Sequence, residues 1–208
     1  MAGERIQRRL AAILSADVVG YSRLMGTDEV GTLSRLKALR RELIDPTIAA
    51  HSGRIVKLVG DGALVEFASA VDAVTCAIEI QRQLRERDAA GSEIDPIRFR
   101  IGINVGDIII DGEDIYGDGV NIAARLEGIA EPGGIYLSRA AYEQVVGKVA
   151  AAFTEVGVRS LKNIDTPVQI FRVSGDGEGR QEFTLPPLIS DRPSIAVLPF
   201  NSLSENRG

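Results

Sequence analysis

The chain has 208 residues, 45% of them hydrophobic and 25% charged, with a formal net charge of -5. That composition is the one of an ordinary globular protein with one good core, and the acidic balance excludes the broad basic footprint that a nucleic-acid or membrane-surface binder needs. A single cysteine, Cys76, excludes an intramolecular disulfide, and a single histidine, His51, excludes Cys/His zinc cages and disfavours a histidine-based triad.

The metal chemistry left is that of carboxylates. No apolar run approaches the ~18 residues of a membrane span, and the start MAGERIQRRL lacks the apolar region of a signal peptide. A reduced, cytoplasmic setting fits the cysteine usage.

From Arg9 to Ser22 an apolar run ends in Asp17 and then in a Val-Val-Gly-Tyr-Ser corner, which reads as a strand feeding a loop. Asp17 is either a turn acid or a carboxylate presented at a sheet edge. Thr27-Asp28-Glu29 supplies a cap and first-turn acids for a helix with apolar positions Val30, Leu33, Leu36 and Leu43. Asp45-Pro46 marks a break or a fresh helix start.

Gly53 to Phe67, GRIVKLVGDGALVEF, reads as two strands joined at Gly60-Asp61-Gly62, with Asp-Gly as the turn signal. Lys57 lies at even spacing from Val59 and Asp61, so it shares their face. A solvated edge lysine and a plain turn aspartate would account for each residue taken alone. Ser69 with Asp72 three residues on is a capping box, opening a helix to about Arg87.

After a polar loop, Ile97 to Asp111 alternates as a strand pair with a bend near Asn104 to Asp107. Gly112 to Gly119 is a glycine-rich acidic loop, and Val120 to Ile129 is a short helix with core positions Ile122, Leu126 and Ile129. Ile135 to Leu137 then reads as a strand, Arg139 to Val146 as a helix, and Phe153 to Lys162 with Val168 to Val173 as a closing strand pair. The order predicts an α+β fold with a ferredoxin-like βαββαβ core, extra C-terminal strands and a helix, the helices lying on one side of a mostly antiparallel sheet.

Asn121 and Arg125 are four residues apart, about 40° around a helix axis, and so project from one face. An amide and a guanidinium behind a glycine loop form an anion clamp or a capped, solvated helix face. If their strands are neighbours, Asp17 and Asp61 can together hold divalent ions that bridge phosphate oxygens.

Taken together, SADVVGYSRL, GRIVKLVGDGALVEF and EDIYGDGVNIAARLE resemble the catalytic domain of class III nucleotidyl cyclases, over roughly Arg9 to Val173 and in that family's order and spacing. The resemblance implies that Asp17 and Asp61, with the Val18 carbonyl, hold two Mg2+ or Mn2+ ions per site. It implies that Val19, Gly20, Tyr21 and Ser22 offer backbone N–H groups to a triphosphate, with Lys162 near it. Lys57 and Asp114 match the pair that reads the adenine edge, and Asn121 and Arg125 the pair that orients the ribose and meets charge on the transferring α-phosphate.

The implied activity is that of an adenylate cyclase, turning ATP into 3′,5′-cyclic AMP and pyrophosphate. Because that family's sites form between two domains and all six matched side chains occur here, a homodimer is implied. A catalytically weak nucleotide-binding or dimerisation module and a guanylate cyclase are the competing expectations. Residues 1–175 would form the catalytic domain and residues 176–193 a linker. Residues 194–208, with the strand-like SIAVLPF, resemble the junction to a TolB-like or repeat-containing region and would begin a further domain that regulates the first and is absent from this chain.

Overall fold

The computed structural model describes residues 7–91 and 96–174. Contacts group Met1–Gly177 as one unit and Glu178–Gly208 as another, and every described residue belongs to the first. The linker expected over 176–193 and the strand expected at Ser194–Phe200 lie outside the described residues.

Two long strands carry the unit. β1 (Gln7–Val18, 12 residues) pairs antiparallel with β4 (Phe99–Asp111, 13 residues) over an unbroken register from Gln7 opposite Ile110 to Val18 opposite Phe99. The expected strand pair with a bend near Asn104 is therefore one unbroken strand. Its small residues Gly102 and Gly106 invite a turn in isolation, but β1 supplies a ladder partner along the whole length.

The remaining strands are β2 (Arg54–Val59), β3 (Gly62–Phe67), β5 (Asp114–Tyr116), β6 (Ile135–Ser138), β7 (Ala152–Arg159) and β8 (Val168–Ser174). The sheet runs β2-β3-β1-β4-β6-β8-β7, with β5 folded back on the end of β4. Among the described residues only the β4–β6 pair is parallel. The β2-β3-β1-β4 part is the split βαββαβ arrangement, and the class predicted from sequence stands.

Helix α1 (Tyr21–Thr27) begins within what reads as a corner in the sequence, so that the corner's last two residues, Tyr21 and Ser22, are already helical. α2 (Glu29–Leu39) begins on Asp28, whose side chain accepts from Gly31 N, and runs through a π-helical turn at Arg40–Ile44 into α3 (Asp45–Ala50). The wider turn keeps Leu39, Leu43, Ile44 and Ile48 on the sheet side. Val30 and Leu33, expected to face the core, are exposed, and Thr32 takes the buried place with its hydroxyl on the Leu24 carbonyl. α4 (Ala70–Ala89) is capped by Ser69 Oγ on Asp72 N, as the capping box predicts.

Alternate residues of β1 separate two cores. Ala12 and Leu14 pack with α2 to α4 and with α6 (Arg139–Val145), whereas Ala11 and Ile13 pack on the other face with Ala123 of α5 (Asp118–Ile129). The helices thus lie on both sides of the sheet, not on one. Within α5 the buried positions are Gly119, Ala123 and Leu126, while Ile122 is half-buried and Ile129 exposed. The seat explains the shift, because the Ala123 to Glu127 turn of α5 rests directly on the backbone of β4, so Ala123 faces the sheet where Ile122 was expected.

Candidate active site

That seat is Gly102. A Cβ there would lie 2.3 Å from the Ala123 carbonyl oxygen and 2.3 Å from Glu127 N, so α5 touches the backbone of β4 directly. The buried amide of Asn104, two residues along the same face, donates to the Gly119 carbonyl at 3.0 Å and pins the start of the helix.

Beside the other end of α5 stand two carboxylates. Asp17 ends β1 on the α5 face, directly opposite Arg100 of β4. Asp61 lies in the β2–β3 turn and accepts from Val18 N at 3.2 Å. The turn residues are Gly60 and Asp61, between the paired Val59 and Gly62, and only Gly60 has a positive φ, 61°. A type II′ hairpin turn asks for glycine at that first position.

Gly62 belongs to the strand and serves close approach, since a Cβ there would sit 3.0 Å from the Ala16 carbonyl and 3.5 Å from Asp17 Oδ1. Turn and strand end are thereby brought into contact. Burial and a hydrogen bond shared with Asp17 raise the Asp61 carboxyl above the ordinary range, against the pull of the Val18 amide.

Arg100 and Glu127 complete this cluster, and sequence reasoning missed both. Arg100 Nη2 lies 2.9 Å from Asp17 Oδ2 and 3.3 Å from Glu127 Oε1. Burial first, and then the Asp17 charge, lift the Glu127 carboxyl to about 7 although Arg100 opposes them. Among the described residues Glu127 Oε1 and Arg100 Nε are buried without a hydrogen-bond partner. The signal for Arg100 was the β1–β4 register, which a sequence read strand by strand does not contain.

A second cluster joins β2 to β5. Lys57 Nζ donates to Asp114 Oδ2 at 2.6 Å, Tyr116 donates to the same oxygen at 3.2 Å, and Ile115 N donates to Asp114 Oδ1 at 2.9 Å. The hydrogen bond with Asp114 raises the Lys57 ammonium, and the same bond, helped by the Ile115 amide, lowers the Asp114 carboxyl. Lys57 reaches this side only because β2 carries a bulge between Ile55 and Lys57.

Ile55 stands opposite Val65, and regular alternation would then set Val56 opposite Leu64 and turn Lys57 to the other face. The bulge sets Lys57 opposite Leu64 instead, on the α5 and β5 face.

The other predicted residues are placed apart from these clusters. Asn121 and Arg125 are exposed on α5 and make no side-chain bond among the described residues. Arg125 lies about 200° around the helix from Glu127, so it turns away from Asp17 while Glu127 turns toward it. The Val19 amide donates to the Arg98 carbonyl at 2.8 Å and is already engaged. The amides of Gly20, Tyr21 and Ser22, at the open start of α1, have no backbone acceptor among the described residues. Lys162 is exposed in the β7–β8 turn.

A cleft of about 860 Å³ beside the start of α5, bordered by Asp107, Asp118 and Arg139, is lined by none of the predicted site residues. Among the described residues no group of three or more His, Cys, Asp or Glu side chains is placed to hold a metal ion, and no helix is long and apolar enough to cross a membrane.

Residues 6–174 match the family model described as the adenylate and guanylate cyclase catalytic domain. A protein of Rhizobium meliloti (strain 1021) named "Putative adenylate cyclase 3" is 45% identical over 208 residues, which is 98% of this chain and 35% of that protein. The chain thus spans about a third of that relative's length. A crystal structure described as an adenylate/guanylate cyclase/hydrolase from Silicibacter pomeroyi is 46% identical with a TM-score of 0.78, covering 83% of this chain and 100% of that one. The guanylyl cyclase Cya2 is 28% identical with a TM-score of 0.71, covering 86% and 98%.

Proposed function

Since the chain belongs to the adenylate and guanylate cyclase catalytic domain family, we propose that it converts ATP into 3′,5′-cyclic AMP and pyrophosphate at sites shared between two copies of itself. The observation that carries the choice of ATP is the Lys57–Asp114 pair. An adenine edge presents a ring nitrogen that accepts beside an amine that donates, and a guanine edge reverses the two. Lys57 keeps two further N–H donors while bonded to Asp114, and Asp114 Oδ1 keeps a lone pair beyond the Ile115 amide. Each partner can therefore meet a base without releasing the other.

Asp17 and Asp61 fit a divalent cation. Burial and the neighbouring Asp17 raise the Asp61 carboxyl, so the pair favours added positive charge, and a guanidinium already stands 2.9 Å from Asp17. Two carboxylates make an incomplete ligand set, which suits ions that take further oxygens from the substrate's phosphates. With the Val18 carbonyl they would hold two Mg2+ or Mn2+ ions, which when bound lower the pKa of the ribose 3′-hydroxyl and offset phosphate charge.

Around that centre the chain's own groups bind and orient. The amides of Gly20, Tyr21 and Ser22 present N–H donors to phosphate oxygens, and Lys162 adds a cation from the β7–β8 turn. Asn121 holds the ribose so that its 3′-oxygen faces the α-phosphorus in line with the leaving pyrophosphate. Arg125 donates to the equatorial oxygens as their charge grows.

Arg125 points away from the Asp17 of its own chain, so the arginine that completes one site comes from a second copy. A regulatory module without turnover is disfavoured by the full set of six side chains. The adenylate reading predicts that the purified chain makes cyclic AMP from ATP with Mg2+ or Mn2+, and that Asp17→Ala abolishes this while the fold survives. Mixing Asp17→Ala with Arg125→Ala chains restores activity, because each heterodimer keeps one intact site. No restoration where heterodimers are demonstrated by mass would sink the shared site, and guanosine triphosphate as the preferred substrate would sink the choice of base.

A further inference from the structure

The Lys57–Asp114 pair is built from parts that are not rigid by themselves. Lys57 is a long side chain on the edge strand of the sheet, and Asp114 begins a three-residue strand just beyond the turn at Gly112. Both are half exposed or partly exposed, with side-chain exposures of 50% and 27%. A base-reading pair needs its donor and acceptor held to a fraction of an ångström.

Behind the pair lies a buried carboxylate with no part in the chemistry above. Glu66 of β3 is only 3% exposed, stands opposite Arg54 of β2 and opposite Ile13 of β1, and so points to the face that carries Lys57. Arg54 donates to Glu66 Oε2 through Nε at 3.1 Å and Nη2 at 2.7 Å. Arg9 of β1 forms an ion pair with the other oxygen, Oε1. A buried carboxylate gripped by two guanidiniums is costly to disturb.

The remaining arm of Arg54 leaves this cluster. Nη1 donates at 2.9 Å to the carbonyl of Glu113, the residue immediately before Asp114. The β2 bulge gives that contact its meaning. Arg54 and Lys57 are three residues apart, an odd spacing that places side chains on opposite faces of a regular strand. With the extra residue between Ile55 and Lys57 the two emerge on one face, Arg54 on the backbone ahead of Asp114 and Lys57 on its carboxylate.

We propose that Glu66 and Arg54 form a positioning clamp that sets base selectivity, by tying the backbone ahead of Asp114 to the strand that carries Lys57. The proposal rests on the cyclase reading for the presence of a base at Lys57 and Asp114, but the clamp itself holds for either purine. Neither residue touches substrate. Both act through Asp114, and the fork of Arg54 is what a lysine cannot copy, since one ammonium cannot hold Glu66 through two donors and reach the Glu113 carbonyl as well.

The test uses the full chain with three variants: Arg54→Lys, Arg54→Met, and the double variant Arg54→Met with Glu66→Leu, which removes the buried charge together with its partner. Kinetics with ATP and with GTP are read alongside hydrogen exchange over residues 112–116 and a thermal melt. In Arg54→Lys and Arg54→Met the ratio of kcat/KM for ATP over GTP falls about tenfold, the order expected when one charge-assisted hydrogen bond holding a recognition pair is lost. The fall comes from a raised KM for ATP, kcat stays within about twofold because the phosphate machinery is untouched, and exchange over 112–116 quickens.

The double variant, folded by its melt, shows the same lost selectivity. An unchanged ratio in folded variants, or an equal loss for both nucleotides, overturns the clamp. A wild-type preference for GTP rejects the choice of ATP alone, and the clamp is then judged by whether the same ratio moves in the variants.

Discussion

Replacing Gly102 by alanine tests how the two halves of the site are held together. The added Cβ would lie 2.3 Å from backbone atoms of Ala123 and Glu127, where ordinary contact begins at 3.4 Å, so α5 must retreat by about 1 Å, the difference of the two. The obstacle is helix backbone on one side and a fully paired strand on the other, so no flexible side chain can yield. Overpacking of this kind costs about 2 kcal/mol, which lowers the melting temperature by about 4–8 °C for a domain of this size.

The functional loss is larger than the stability loss. α5 carries Asn121 and Arg125 on one side and Glu127 on the other; under the proposed function Asn121 and Arg125 position the reaction, and a displacement of about 1 Å in such groups costs about 100-fold in turnover. The assay is cyclic AMP production beside a thermal melt, with Gly128→Ala as the control. Gly128 lies on the same helix with nothing within 4 Å of a Cβ, so alanine there keeps turnover and adds up to about 1 kcal/mol through helix propensity. A Gly102→Ala protein with unshifted melting and wild-type turnover would refute the view that direct backbone contact seats α5.

Glu127 makes stability depend on pH. Its carboxyl is raised in the fold from 4.5 to about 7, so between those values the folded chain binds a proton that the unfolded chain has released, and stability falls as pH rises through that window. Glu127→Gln removes the titration; its stability relative to wild type should rise from pH 4.5 to pH 8 by about 1 kcal/mol after allowance for solvent screening. Urea melts at both pH values without divalent ions measure it, and an equal difference at both would count against the assignment. Cys76 is buried and burial pushes its thiol up to about 12, so a thiol reagent at pH 8 should label it only as fast as the chain opens; rapid labelling of the native protein would contradict the packing of α4. Charge reversal at Arg100 should leave Mn2+ binding undiminished or tighten it, whereas Asp17→Ala should weaken it, measured by calorimetry, because the guanidinium competes with a cation for Asp17; a loss at Arg100 equal to that of Asp17→Ala would count against the cation site at Asp17.

Most elements were legible because their signals are local. The Ser69 cap, the apolar run of β1 and the hairpin at Gly60-Asp61 each depend on residues a few positions apart. The bend expected near Asn104 and the apolar faces expected at Val30, Leu33 and Ile129 failed for the opposite reason. Whether a residue is buried depends on which surface its element meets, and no short window contains that surface.

The site divides along the same line. Sequence determined the chemical inventory: two carboxylates at strand ends, a lysine and an aspartate flanking a glycine loop, and an amide and a guanidinium on one helix face. The tertiary structure alone decided that Asp17 meets Asp61 and Arg100, through the β1–β4 register and the absent side chain of Gly62. It decided too that Lys57 shares a face with Arg54 and Asp114, because a bulge in β2 reverses the alternation that a reader of the sequence would assume. A side chain's type is written in its own residue, but its direction belongs to the register of a whole sheet, where one inserted residue turns it to the opposite face.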